Sequence, residues 1–199
     1  MALTGRMHFL ARDAKYLHEK PYTLRYAPDP EDGIPQSNID RVEHKLCFHD
    51  LRQEHLDYEG SRRIIQETYG EDADSALNGR WQCVNVWHPL RGPLVDWPLA
   101  LCDAATVDFA NDTMPGDVVD RDRVFENTQV HYSARQKWYH LLGQMPTELI
   151  VFKNADSQEL GWGAAPGVPH ASFDNPLKTS TDFLRESIEM RVILRWHDV

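Results

Sequence analysis

An all-β core, a sandwich or jelly roll, is what this sequence predicts, and three observations carry that prediction. Short apolar or alternating runs recur along the 199 residues, and turns rich in Gly, Pro and Asp separate them. The first good helix candidate, SRRIIQETY closed by Gly70, comes only at 61–69, and strands dominate downstream. No GxGxxG, P-loop or GxSxG motif marks a βαβ or hydrolase architecture.

The elements follow in chain order. Residues 20–38, KPYTLRYAPDPEDGIPQSN, carry four prolines and read as an extended arm with a short YTLRY strand, within an N-terminal arm spanning 1–42. EHKLCFHDLR (43–52) has an apolar centre and opens a core spanning 43–199. WQCVNVW (81–87) alternates, PLALCD (98–103) is a short apolar run, and TQVHYSARQKWYHLL (128–142) reads as two strands around a turn. TELIVFKN (147–154) and SIEMRVILRW (187–196) complete a single domain of 1–199 with a few flanking helices.

Composition narrows the function. A net charge of −10 argues against a nucleic-acid surface, which needs a basic stripe. No apolar run approaches the ~20 residues of a membrane span, and the N-terminus lacks the continuous apolar core of a secretory signal. Cys47, Cys83 and Cys102 have no CxxC spacing and read as buried small residues in a reducing compartment, which favours a cytoplasmic protein.

The chemistry lies in three short stretches. In EHLDYEG (54–60), an extended backbone would turn His55 and Asp57 to one face, ~6.6 Å apart along the chain. Such a pair suits an imidazole and a carboxylate converging on one cation, and equally suits a charged surface. Downstream, GVPHASFDNP (167–176) supplies His170. His55, Asp57 and His170 have the composition of the two-histidine, one-carboxylate facial triad that holds ferrous iron and leaves positions open. In RESIEMR (185–191), alternation places Arg185, Ser187, Glu189 and Arg191 on one strand face and Ile188 and Met190 on the other. A solvated edge strand would show this pattern, as would an inner face that receives an anion. An arginine with a hydroxyl two residues on can grip a carboxylate. Placed 15 residues after the second histidine, it is the arrangement by which iron oxygenases hold the distal carboxylate of 2-oxoglutarate.

Taken together, EKPYTLRYAPDPEDGIPQSN, HLD with the following GSRRI, GRWQCVNVWHPLRGPLVDWPLALCD, QKWYHL, ELIVFKNADS, PHASFDNP and RESIEMR cover most of the chain. In this order they resemble the mainly fungal hydroxylase/desaturase family of secondary metabolism. That family includes gibberellin desaturase-like enzymes, a meroterpenoid endoperoxide-forming enzyme and a cephamycin methoxylation component. The resemblance implies a double-stranded β-helix (jelly roll) and an Fe(II)/2-oxoglutarate-dependent oxygenase. It implies His55, Asp57 and His170 as iron ligands, and Arg185 with Ser187 or Arg191 as the oxoglutarate anchor. The implied reaction converts oxoglutarate and O2 to succinate and CO2 while a small secondary metabolite or amino-acid-derived substrate is hydroxylated, desaturated or cyclised. Trp87 and Tyr139 are candidate pocket residues and equally core aromatics. The expected partners are the small-molecule substrate and O2, with a homodimer as the candidate assembly.

Two departures from the family pattern stand out. Trp87-His88-Pro89 replaces the usual WRP. Several dozen residues that the family carries before its HxD are lacking, since Asp50-Leu51-Arg52 runs almost directly into Glu54-His55, so a discontinuity or an unusual trimming is expected near Gln53 and Glu54. Two rival readings remain: a cupin-like metal isomerase or dioxygenase, which would not need the Arg185/Ser187 pair, and a non-catalytic accessory β-sandwich subunit.

Overall fold

Eleven strands carry the architecture of the computed structural model, which describes residues 3–50, 81–122, 124–156 and 167–195. They are β1 (Leu3–Leu10), β2 (Tyr22–Leu24), β3 (Arg41–Asp50), β4 (Trp81–Pro89), β5 (Leu99–Cys102), β6 (Thr113–Val119), β7 (Val124–Val130), β8 (Trp138–His140), β9 (Ile150–Asp156), β10 (His170–Ser172) and β11 (Ser187–Arg195). Helix among the described residues is confined to short turns, the longest being four residues. The helix expected at 61–69 and the discontinuity expected near Gln53 and Glu54 both lie outside the described residues.

Sequence alternation located most of these strands, with two exceptions. The first is β1, where LTGRMHFL mixes charge and glycine among its apolar residues, although Met7, Phe9 and Leu10 are all buried. The second is β6, which contains Pro115 and Gly116 and is held by antiparallel pairing to β7 over its whole length. Both residue types ordinarily argue against a strand, and neighbouring strands override that local preference here.

The chain divides into two compact units. One comprises Met7–His44 with Asp108–Ala134, so the N-terminal stretch read as an arm is grouped with downstream chain. It contains the β2–β6–β7 sheet and an aromatic cluster in which His44 stacks on Tyr132 at 3.9 Å while Phe9 meets both edge-on.

The other unit comprises Met1–Arg6, Lys45–Val107 and Arg135–Val199. Here β8, β5 and β10 form one sheet, with the end of β3 beside β8. The second sheet has the order β11–β4–β9. Trp87 of β4, Leu99 and Leu101 of β5, and Ile150 and Phe152 of β9 meet in one apolar core joined by Leu94, Leu141 and Val168. Strict alternation on β4 produces this: Trp81, Cys83, Asn85, Trp87 and Pro89 are buried, and the residues between them are half-exposed. Cys83 and Cys102 are buried free thiols.

A tight crossing sets the loop below this core. A methyl group at Gly92 would lie 2.6 Å from Pro146 Cδ and 2.9 Å from the Gln144 carbonyl oxygen, which also accepts the Leu94 amide. Ring and backbone cannot yield cheaply, so Gly92→Ala is expected to destabilise the fold by about 1–3 kcal/mol. A lower urea midpoint at unchanged slope would register this, whereas an unshifted midpoint would mean the crossing has slack.

Candidate functional site

β10 begins at His170, and its pairing with β5 sets His170 opposite Leu101 and Ser172 opposite Leu99, two residues of the apolar core. His170 and Ser172, two apart on a strand, therefore share the inward face. The His170 ring lies 4.6 Å from the Phe152 ring. Its Nδ1 is 2.9 Å from the Val168 carbonyl oxygen, and since a carbonyl can only accept, Nδ1 carries the proton. Nε2 thus keeps its lone pair and makes no hydrogen bond with a described residue. Burial lowers the His170 pKa against the opposing pull of the Val168 bond, which favours the neutral imidazole that a metal requires. This side chain is chemically fit to be a metal ligand.

Of the other two triad candidates, His55 and Asp57 lie outside the described residues. Among the described residues no three His, Cys, Asp or Glu side chains converge as a metal cluster.

The facing wall comes from β11. Its register places Ser187 opposite Pro89, Glu189 opposite Trp87 and Arg191 opposite Asn85, all on the face of the buried β4 residues. Ile188 and Met190 on the other face are 51% and 58% exposed, and Glu189 and Arg191 are exposed as well. Hydrophobic partition alone would give the opposite orientation. Polar partners account for it: Asn154 donates to Asn85 Oδ1 at 2.7 Å, and Asn85 donates to the Glu189 carboxylate. Asn85 is completely buried, so this relay satisfies an amide that would otherwise be costly. A bulge in the β4–β9 pairing between Cys83 and Val84 leaves Asn154 as the extra residue that reaches Asn85. Arg191 makes no hydrogen bond or ion pair among the described residues.

Arg185 stands before β11 rather than on it, since the strand starts at Ser187. Its amide donates to Asp96 Oδ2 at 2.7 Å, and its Nη1 donates to the Trp97 carbonyl at 2.7 Å and to Ser172 Oγ. Asp96 is buried and paired with Lys178. Burial alone would raise the Asp96 pKa, but the Lys178 ammonium and the Arg185 amide hold it below the ordinary carboxylate value. With a folded pKa below the unfolded value of about 3.9, Asp96 contributes stability that is full above that pH and is lost as pH falls through the folded value. Asp96→Asn should therefore flatten the loss of stability between neutral pH and the acid range, as measured by urea unfolding at each pH. An unchanged acid slope would remove Asp96 from the linkage.

Of the pocket candidates, Trp87 sits in the apolar core and Tyr139 is buried on β8, opposite Leu101 in the row that also contains His170. Sequence reasoning did not single out Asn85, Asn154, Asp96 or Ser172. Asn85 offered a signal, because it occupies an apolar position of an alternating strand.

Comparison with known proteins gives three findings. A family profile described as oxidoreductase/YMDC permease-like domain matches residues 54–195. Aspirochlorine biosynthesis protein N of Aspergillus oryzae is 37% identical over 138 residues, 68% of this chain and 56% of that protein. The Fe(II)/2-oxoglutarate-dependent dioxygenase nvfI of Aspergillus novofumigatus is 30% identical over 167 residues, 80% of this chain and 58% of that protein. The chain thus spans a little over half the length of these relatives. A solved structure of the iron and alpha-ketoglutarate-dependent endoperoxidase NvfI superposes with a TM-score of 0.81 at 21% identity, over 98% of each chain. The shared fold is the jelly roll.

Proposed function

We propose that this chain, which belongs to the oxidoreductase/YMDC permease-like domain family, oxidises a small organic metabolite with Fe(II) and 2-oxoglutarate, as the name of its relative nvfI states for that protein. The observation that carries the reading is one inward face on which the Val168 carbonyl holds the proton on His170 Nδ1, leaving the Nε2 lone pair available, while Ser172, two residues on, holds the guanidinium of Arg185.

In this reading His170 binds iron through Nε2, with His55 and Asp57 as the other protein ligands. When bound, iron and oxoglutarate together supply O2 activation and the removal of hydrogen from the substrate. The chain's own residues orient the reactants. The Val168 carbonyl fixes the His170 tautomer, and Phe152 fixes the plane of its ring. Arg185 holds the far carboxylate of oxoglutarate with a guanidinium already positioned by Trp97 and Ser172. Trp87, Phe152 and Leu101 keep water out of one end of the site, and the Asn85–Glu189 pair gives the other wall a polar character. Whether the substrate is hydroxylated, desaturated or cyclised depends on which of its C–H bonds this wall presents. The buried free thiols Cys83 and Cys102 support a cytoplasmic location.

Anaerobic addition of Fe(II) followed by 2-oxoglutarate tests the proposal. A weak visible charge-transfer band is expected only when both are present, with succinate formed once O2 is admitted. Iron binding with no band on adding oxoglutarate would favour a metal enzyme that does not use it, and absence of iron binding would favour a non-catalytic subunit.

A further inference from the structure

Resting on the oxygenase reading above, we propose that Glu189 and Arg191 select the substrate and that it is amino-acid-like, with a protonated amine for Glu189 and a carboxylate or carbonyl oxygen for Arg191. The two lie two residues apart on the face of β11 that looks onto the buried residues of β4, Glu189 opposite Trp87 and Arg191 opposite Asn85. Same-face neighbours on a strand stand ~6.6 Å apart along the chain, near enough for long side chains to meet. Among the described residues these two nevertheless form no ion pair with each other.

Asn85 accounts for the separation. It lies directly across from Arg191 and diagonally from Glu189, yet it donates to the Glu189 carboxylate and draws that group onto β4. Asn154 donates to Asn85 Oδ1 at 2.7 Å and so fixes which end of the amide faces β11. With its oxygen turned to Asn154, Asn85 presents N–H to β11, which serves a carboxylate and not a guanidinium. Asn85 and Asn154 are both buried, and a merely solvated edge strand would need no such relay, since water would serve both charges. Glu189 accepts through Oε1 and has Oε2 left, while Arg191 makes no hydrogen bond among the described residues.

Both side chains are exposed although they lie on that face, so water, and with it a small ligand, reaches the space in front of β11. That space adjoins His170. Burial is the main cause of the lowered His170 pKa, and besides the Val168 bond both charges act on the ring, Glu189 raising the pKa and Arg191 lowering it. A molecule brought to a metal on Nε2 therefore meets a negative and a positive group one strand step apart. A ligand with one charge of each sign satisfies both. A singly charged or wholly apolar ligand leaves at least one of them unmatched, which is how such a wall discriminates.

Calorimetry on Mn(II)-loaded protein saturated with 2-oxoglutarate, under nitrogen, tests this with four probes that share a phenyl body. Phenylalanine carries both charges, phenethylamine the amine, 3-phenylpropionate the carboxylate and 3-phenylpropanol neither. Phenylalanine is expected to bind at least ~10-fold more tightly than either single-charge probe. Glu189→Gln, which can still accept from Asn85, should weaken phenylalanine about 10- to 100-fold and leave 3-phenylpropionate unchanged. Arg191→Gln should weaken phenylalanine and 3-phenylpropionate but not phenethylamine, with oxoglutarate bound as in the parent. Should Glu189→Gln fail to fold, Glu189→Asp, which withdraws the carboxylate by one methylene, carries the same comparison. Equal affinity for all four probes, no binding of phenylalanine, or a loss common to all probes in either variant would overturn the proposal, the last marking a merely structural pair. Loss of oxoglutarate binding in Arg191→Gln would overturn it as well, by making Arg191 the cosubstrate anchor. Titration of the parent with oxoglutarate alone tests the underlying reading separately: no binding there sinks the oxygenase reading, whereas oxoglutarate binding without charge selectivity among the probes removes only the assignment of Glu189 and Arg191.

Discussion

Replacing Arg185 by alanine is expected to raise the oxoglutarate requirement by about a hundredfold or more while leaving metal affinity intact. The fork of Nε and Nη2 can form two charge-assisted hydrogen bonds to a carboxylate, each contributing about 1.5–3 kcal/mol, and every ~1.4 kcal/mol is a factor of ten. Metal binding should survive because Arg185 touches no proposed ligand; its side-chain partners are the Trp97 carbonyl and Ser172. Arg185→Lys should recover only part of the loss, since an ammonium is a point charge and cannot reproduce the fork. Arg191 is the competing candidate: it lies on the inner face of β11 opposite Asn85 and has no partner among the described residues. Its charge would attract the same anion, but no hydrogen bond among the described residues holds it in place, whereas Arg185 is held by two bonds from Nη1 and one from its amide. Succinate formation against oxoglutarate concentration in the two alanine variants decides between them. A large shift in Arg191→Ala alone would move the anchor, and no shift in either would remove oxoglutarate from the mechanism.

The fold was legible in the sequence wherever burial alone sets the pattern. On β4, Trp81, Cys83 and Trp87 alternate with half-exposed residues, and that period of two is visible in WQCVNVW without any structure. Legibility failed where a strand depends on its partners, as in β6, whose Pro115 and Gly116 argue against it until the pairing with β7 is known. For the site, His170 and the alternation of β11 could be read because both are local. The partners of Arg185 could not, since Ser172 is 13 residues and Asp96 89 residues away in sequence, and only the register of β10 and the loop after β4 bring them together. Spacing suggested Ser187 because an extended RxS puts both side chains on one face; the strand begins too late to include Arg185. A bulge likewise leaves no local trace, and Asn154 reaches Asn85 only because the pairing with β4 slips there.

Phe152→Ala is the substitution expected to cost the most stability, about 3–5 kcal/mol, out of the ~5–15 kcal/mol by which a domain of ordinary stability stays folded. The side chain is 2% exposed and packs within the core that joins the two sheets of its unit, so truncation leaves a cavity lined by Trp87, Leu101 and Ile150. Its ring also lies 4.6 Å from that of His170, and loss of this contact frees the imidazole to rotate about its Val168 hydrogen bond. Metal affinity should therefore fall as well, by the roughly 10- to 100-fold typical of removing a group that orients a ligand. Phe152→Leu separates the two effects. It refills most of the cavity and should recover most of the stability, but it lacks the aromatic contact, worth about 0.5–1.5 kcal/mol. Urea unfolding of the metal-free variants reads the first effect, and titration with Mn(II) reads the second. If Phe152→Leu regains both stability and metal affinity, Phe152 acts through volume alone, and the Val168 bond by itself suffices to hold His170 in register with its metal.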